Sequence, residues 1–242
     1  MQSRLGKSFP LVGGVASGNL KSQKTFQYFD ENLLSDSIVG LLVSKKMEYS
    51  ISLKHGFRPL GKSRIITEAE ANVIKTIDKR PAASLYEEYF GKDIKRDFDY
   101  ISRLYPIGIY LEEEKDYLLR SVLRASEDGS LVFQTDIPKD TKIRLMIGTK
   151  ESLLEAARLS AEEAKKTIQK RINLVLIFNS ISRKMILGRE TEREIEIIKK
   201  MFGNTPLAGF YAYGEKAPLK SLEFRGQSYL HNHSITILAI GE

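Results

Sequence analysis

The sequence predicts an α/β (α+β) protein with mixed β-sheets, flanking helices and two intimately packed parts, and three stretches carry that prediction. Residues 47–54 alternate Tyr49, Ile51 and Leu53 against Glu48, Ser50, Ser52 and Lys54, the period of two that marks a strand with one wet face. Residues 151–171 place Leu154, Ala157, Ala161, Ala164 and Ile168 at helical spacing. The apolar run 173–179 follows that helix directly, so a long amphipathic helix feeds a buried strand. Between the first and second of these, residues 105–148 hold short apolar runs separated by turn residues. A β-rich stretch with a few long helices belongs to a mixed sheet covered by helices, not to a bundle.

In chain order, the apolar run 36–44 reads as a strand, joined through Lys45-Lys46 to the strand at 47–54 as a hairpin. Thr67 with Glu70 has the spacing of a helix capping box. Pro81 suits a first helical turn, Leu85, Tyr86 and Tyr89 give an apolar face, and Gly91 suits the stop. A helical connection, 81–104, therefore divides a first part, 1–80, from a second, 105–242. The second part opens with strands at 106–111 and 117–125, and Glu127-Asp128-Gly129 turns the chain into 131–135 as a hairpin. Another strand is expected at 142–148. After the long helix and the buried strand, Thr191 with Glu194 repeats the capping-box spacing before a helix that stops at Gly203. Strands at 208–213 and 234–240 close the chain.

Composition removes several classes of function. There is no cysteine, which excludes disulfides, thiolate metal sites and a cysteine nucleophile. No secretion signal is legible and the longest apolar run, 173–178, is strand-sized, so neither a membrane partner nor export is expected and the cytoplasm is the expected location. The net charge of +7 raises nucleic-acid binding. Its carriers are interleaved with glutamates, as in Glu162-Glu163-Ala164-Lys165-Lys166, the pattern of solvated helix faces rather than a phosphate-tracking stripe. No nucleic-acid partner is expected.

Four segments hold residues that could carry chemistry. Gly13-Gly14-Val15-Ala16-Ser17-Gly18 resembles a phosphate cradle but lacks the Lys-Ser/Thr ending, and reads as a tight loop after a strand. Asn179-Ser180-Ile181-Ser182-Arg183 lies where a buried strand turns toward a helix, the ligand-facing end of α/β sheets. There Arg183 could take a carboxylate bidentately with Ser180 orienting it, or could cap the helix while paired to an acidic neighbour. In Gly209-Phe210-Tyr211-Ala212-Tyr213-Gly214-Glu215 the aromatics suit a core, while Glu215 beside a glycine turn suits a ligand amine and Tyr213 its orientation. His231-Asn232-His233 opens the last strand; two histidines at i and i+2 share a face, which would suit a metal, but His55 is the sole other histidine and a hydrogen-bonding strand start is expected, with no metal and no cofactor. No catalytic triad is legible, and a carboxylate pair for hydrolysis is neither located nor excluded.

The order of several short motifs resembles the FIST domain family. Tyr105-Pro106-Ile107-Gly108, Leu119-Arg120, residues 178–183, Leu207-Ala208-Gly209-Phe210-Tyr211 with Tyr213-Gly214-Glu215, and His231-Asn232 before a strand resemble its C-terminal domain. The glycine-rich loop at 13–18, His55-Gly56-Phe57-Arg58-Pro59-Leu60-Gly61 and Thr67 with Pro81-Ala82 resemble the later part of its N-terminal domain. The resemblance implies a cytoplasmic sensory module that binds small ligands such as amino acids, tied in relatives to signalling output domains or an F-box. It also implies a chain that starts midway through the N-terminal domain: a shortened gene product, an excised piece, or one member of a split pair. Ser180 and Ser182 stand where the family commonly has cysteine and glycine, so no thiol-based role is expected.

The sequence reading is thus a ligand binder rather than an enzyme. Arg183 is expected to take a carboxylate and Glu215 an amine, with Ser180, Tyr213 and Asn232 orienting and Arg120 a further contact. The expected partners are a small molecule and a signalling output protein or the missing N-terminal portion in trans, with homo-oligomerisation open. Two alternatives stand beside it: a metabolic hydrolase using the same pocket, and a protein-interaction scaffold without a ligand.

Overall fold

The computed structural model of the chain describes residues 4, 6, 9–16, 24–43, 47–112, 115–219 and 227–242. Strands β1 (Gly13–Gly14), β2 (Gln27–Phe29), β3 (Asn32–Leu34), β4 (Glu48–Lys54), β5 (Phe57–Glu70), β6 (Val73–Ile77) and β7 (Arg80–Pro81) precede two short helices, α1 (Ser84–Phe90) and α2 (Phe98–Leu104). Strands β8 (Ile107–Leu111), β9 (Asp116–Arg120), β10 (Val122–Ala125), β11 (Leu131–Phe133) and β12 (Lys142–Gly148) follow. Then come the long helix α3 (Lys150–Thr167), β13 (Ile172–Ser180), and helices α4 (Ile181–Leu187) and α5 (Thr191–Phe202). Strands β14 (Leu207–Ala212), β15 (Glu215–Pro218), β16 (Ser228–His231) and β17 (Ile235–Gly241) complete the order.

Among the described residues these strands form an eight-stranded sheet ordered β10-β11-β6-β5-β12-β8-β9, with β7 beside β6, and a four-stranded sheet ordered β14-β13-β17-β4. A three-stranded sheet, β1-β15-β16, and a β2-β3 pair complete the set. In the four-stranded sheet β13 runs parallel to β14 and antiparallel to β17, so the predicted α/β fold with mixed sheets is what the chain adopts. The two parts are interleaved: β4 from the first part pairs with β17 at the end of the second, and β5 pairs with β12.

The two larger sheets each have their own core. The large sheet packs Ile66, Ile74, Leu131 and Phe133 against Tyr86 and Phe98 of α1 and α2. The small sheet packs Val175, Ile177, Ile235, Ile237 and Ala239 against the alanine face of α3 and Ile198 and Phe202 of α5. Alanines at 157, 161 and 164 let α3 approach closely, and Ser52 Oγ donates to the Ser160 carbonyl at 2.7 Å. Thr149 and Ser152 cap the first turn of α3 reciprocally. A third cluster, with Phe57, Leu119, Met146, Leu153 and Leu187, joins the two cores. Gly56 makes that joint: its φ is +78°, and a Cβ there would lie 2.5 Å from the Ser152 carbonyl oxygen.

Several sequence expectations are corrected. Residues 36–43 are not a strand; Ile38, Leu41 and Leu42 are exposed, and β4 takes β17 as its partner instead. The Lys45-Lys46 turn lies outside the described residues. Thr67 caps no helix: it sits in the 14-residue β5, bonded to Thr76 Oγ1 and accepting from the Lys79 N–H. The β-branched run Ile65-Ile66-Thr67 and the burial of Ile66 outweigh the four-residue capping signature. Pro81 is in β7, and α1 starts at Ser84. The strand expected at 117–125 divides at Ser121, whose N–H goes to Asn232 Oδ1 while the chain changes partner from β8 to β11.

Candidate functional site

The C-terminal end of β13 meets the β15-β16 hairpin and the start of β17, and polar side chains gather there in the protein interior. Asn179, Ser180, Arg183, Glu194, Glu215, His231, Asn232, His233, Ser234 and Thr236 are all buried, Arg183, Glu194, Glu215, His233 and Thr236 completely. The cause is local: β13 and β14 are parallel neighbours, so the chain must leave β13 through α4 and α5 and return, exposing strand-end groups that other elements then cover.

Arg183 has protein partners on three sides. Its Nε and Nη2 donate to Glu194 Oε1 at 3.1 and 2.5 Å, Nη1 donates to the His55 carbonyl at 2.7 Å, and Nη2 also to the Leu153 carbonyl at 2.8 Å. Of the two sequence readings of this residue, the geometry has the pairing with an acidic neighbour. That neighbour was hidden by its capping-box spacing. Thr191 Oγ1 instead donates to the Gly188 carbonyl, and Glu194 turns inward, where its Oε2 accepts from Asn179 Nδ2 at 2.5 Å. A helical-face reading would have found it, because Glu194 lies four and eight residues before the buried Ile198 and Phe202.

Glu215 is the opposite case. It opens β15, across from His231 on β16 and Gly14 on β1. Its Oε2 accepts from Ser234 N–H at 3.2 Å and Ser234 Oγ at 2.7 Å, whereas Oε1 is buried with no hydrogen-bond partner among the described residues. Burial pushes its pKa up to about 8, against the Ser234 bonds that pull it down. Arg120 reaches the same hairpin from β9. Its Nη1 donates to the Leu230 carbonyl at 2.8 Å, its Nε is buried without a partner among the described residues, and burial lowers its pKa to about 10.

The other expected residues act on the frame. Asn232 joins three segments: Oδ1 accepts from the Ser121 N–H, and Nδ2 donates to Gln134 Oε1 at 2.6 Å and to the Tyr213 carbonyl at 3.2 Å. Tyr213 follows β14 rather than lying in it. Ser180 donates its N–H to the Ser234 carbonyl at 3.0 Å. Tyr211 faces the other side of β14, under Lys184, while Phe210 packs edge-on against Phe178.

The histidines have separate partners. His231 Nε2 lies 3.2 Å from the Ala217 carbonyl and His233 Nε2 lies 2.9 Å from Ser121 Oγ, and burial drops both pKa values to about 3. His55 Nδ1 accepts from the Phe57 N–H, which leaves Nε2 as the donor to Asp116. Among the described residues no group of three or more His, Asp or Glu side chains gathers as a metal site. The glycine-rich loop contributes Gly13 and Gly14 to β1, and Gly14 fits closely over Phe210 and Ala212; residues 17 and 18 lie outside the described residues. No described helix is long and apolar enough to cross a membrane.

The chain is 25% identical over 234 residues to an uncharacterized protein of Mycobacterium tuberculosis, and 25% identical over 238 residues to one of Mycobacterium bovis. Those alignments cover 94% of this chain but 60% and 59% of the relatives. An uncharacterized protein of Methanocaldococcus jannaschii is 25% identical over 224 residues, 86% of this chain and 41% of its own. The chain thus spans about 60% of the length of the first two relatives. No solved structure matches it. The FIST N domain matches residues 1–80 and the FIST C domain residues 82–218. The chain therefore belongs to the FIST family, whose domains are regarded as sensory domains in signal transduction.

Proposed function

We propose that this chain is a cytoplasmic sensory module that binds a small zwitterionic metabolite, an amino acid or a close analogue, at the β15-β16 hairpin. One observation carries the reading. Two buried side chains, the carboxyl of Glu215 and the guanidinium of Arg120, bracket that hairpin, and each keeps a polar atom without a partner among the described residues. Leaving such atoms buried costs about 1–3 kcal/mol each, a cost that a ligand's ammonium and carboxylate would remove. Glu215 takes the amine and Arg120 the carboxylate, with Ser180, Tyr213 and Asn232 orienting the hairpin and strand ends around them. Arg183, held by Glu194 and two carbonyls, braces the floor beneath. Because Glu215 is fully buried, a ligand reaches it only as the hairpin lifts, which couples binding to a movement that an output partner could read.

The experiment is a thermal-shift and calorimetric screen of the protein against amino acids and related metabolites, repeated with Glu215→Gln. A ligand at one hundred times its dissociation constant adds about 2.7 kcal/mol of stability. The expected result is a selective ligand whose affinity falls at least about tenfold in Glu215→Gln, ~1.4 kcal/mol. An affinity unchanged within twofold, or turnover of the bound compound, would overturn the reading, turnover in favour of a hydrolase.

A second reading, an interaction scaffold, draws on a different observation. Residues 26–43 expose Phe26, Tyr28, Phe29, Leu33, Ile38, Leu41 and Leu42, and β4 is an edge strand of the four-stranded sheet among the described residues. One chain thus carries both a strand-forming apolar segment and a sheet edge, a self-complementary pair that suits a second copy of the chain. Sedimentation of the wild type and of L41D/L42D decides it; a monomer in both removes this reading.

A further inference from the structure

At the far end of the four-stranded sheet, α3 and α5 stop at the same level as β13 begins. The loops 168–171 and 203–206 stand apart there and leave a surface groove of about 500 Å³. That volume falls in the range of small-molecule sites. The groove has two distinct kinds of wall. Its floor is apolar: Ile168 and Phe202 belong to the core beneath, and Ile172 is packed against it. Its rim is cationic: among the described residues Lys165, Lys170 and Arg171 line it, and no aspartate or glutamate does. In a chain with 31 acidic residues against 38 basic ones, a lining with three cations and no acid is a local excess of one sign.

The helix ends do not cancel that charge. The carboxyl ends of α3 and α5 present carbonyl dipoles toward the groove, which favour cations. Lys165 Nζ already donates to the Met201 carbonyl at 2.7 Å, taking up one of those acceptors and tying α3 to α5. Lys170 and Arg171 line the groove and are exposed. The lining's chemistry excludes a metal ion, which would need carboxylate or imidazole donors that the lining lacks.

We propose that this groove is a second binding site, for a small organic anion with an apolar body: the body lies on Ile168, Ile172 and Phe202, and the acidic head pairs with Lys170 and Arg171. The site is remote from Glu215, at the amino end of β13 rather than its carboxyl end, and does not depend on the reading of that hairpin.

Anilinonaphthalene sulfonate, an apolar anion of suitable size, is the probe. Fluorescence titration of the whole chain would be compared with K170E/R171E, after urea melts have shown that both fold alike. Amide chemical-shift mapping of the labelled wild type would locate the probe. The expected results are an affinity at least about tenfold weaker in the charge-reversed variant, weakening of wild-type binding by salt, and shifts at 168–173 and 202–206. Affinity within twofold in K170E/R171E, or shifts confined to the exposed apolar stretch 26–43, would overturn the proposal.

Discussion

Replacing Arg183 with alanine is the most informative single change, because the fold and the site depend on the same guanidinium. The side chain is fully buried and bonds Glu194 on α5, the His55 carbonyl after β4, and the Leu153 carbonyl in α3. Its removal leaves Glu194 as a buried carboxylate whose remaining bond is to Asn179, and leaves two buried carbonyls short of a donor. Breaking a buried ion pair by removing one member costs about 3–5 kcal/mol, a large part of the ~5–15 kcal/mol that holds a domain together. Removing both charges as R183M/E194L fills the space with apolar volume and leaves no buried ion, so it should cost less than R183A alone, about 2 kcal/mol or under. The exposed cluster of Arg158 with Glu155 and Glu162 supplies the control, since solvent screens it and R158A should leave the urea midpoint nearly unchanged. Urea unfolding at neutral pH measures all three, together with the singles R183M and E194L that close the cycle. If R183A costs less than about 1 kcal/mol, or the double variant costs the sum of its singles, the guanidinium is not the buried brace described above.

Three further outcomes follow from the same geometry. Glu215 has a folded pKa near 8 against an ordinary 4.5, so its effect on stability is most favourable below pH 4.5 and is lost as pH rises toward 8. Glu215→Gln should abolish that loss, a gap of roughly 3 kcal/mol at pH 7 in melts followed across pH, and parallel curves for the two proteins would refute the shift. His233 has the opposite sign: with a folded pKa near 3 against 6.5, its contribution is present above pH 6.5 and is lost as pH falls toward 3. His233→Asn, which keeps a residue tolerant of the φ of +60° there, should flatten the acid side of the profile; an unchanged acid limb counts against a buried neutral imidazole. Gly56→Ala should cost about 2–4 kcal/mol, from a left-handed φ together with a collision on the Ser152 carbonyl, and a loss below about 1 kcal/mol in urea would show that the joint relaxes.

By itself the sequence determined what local pattern can determine. The alternation at 47–54, the alanine face of α3, the buried run that became β13, and the Glu127-Asp128-Gly129 hairpin all stand in the structure, because each depends on period and turn chemistry within one element. Motif order likewise gave the family. Two capping-box signatures misled, since Thr67 and Glu194 have the same four-residue spacing whether the threonine oxygen meets an amide of its own helix or a neighbour across a sheet. Residues 36–43 have a strand's composition, yet a strand needs a partner edge and they pair with no described strand; β4 takes as its partner β17, 181 residues further along when counted from Lys54 to Ile235.

Only the tertiary structure decided which polar residues meet. Arg183 and Glu194 are 11 residues apart in sequence, but Arg183 and His55 are 128 apart and Arg120 and Leu230 are 110. Nothing local signals those distances, and they set whether a charge is satisfied by the protein, as for Arg183, or left with an unpaired atom, as for Glu215. The physical reason is desolvation: a side chain's character is in the sequence, but the balance between its hydration and its interior partners exists only once the two sheets close over it.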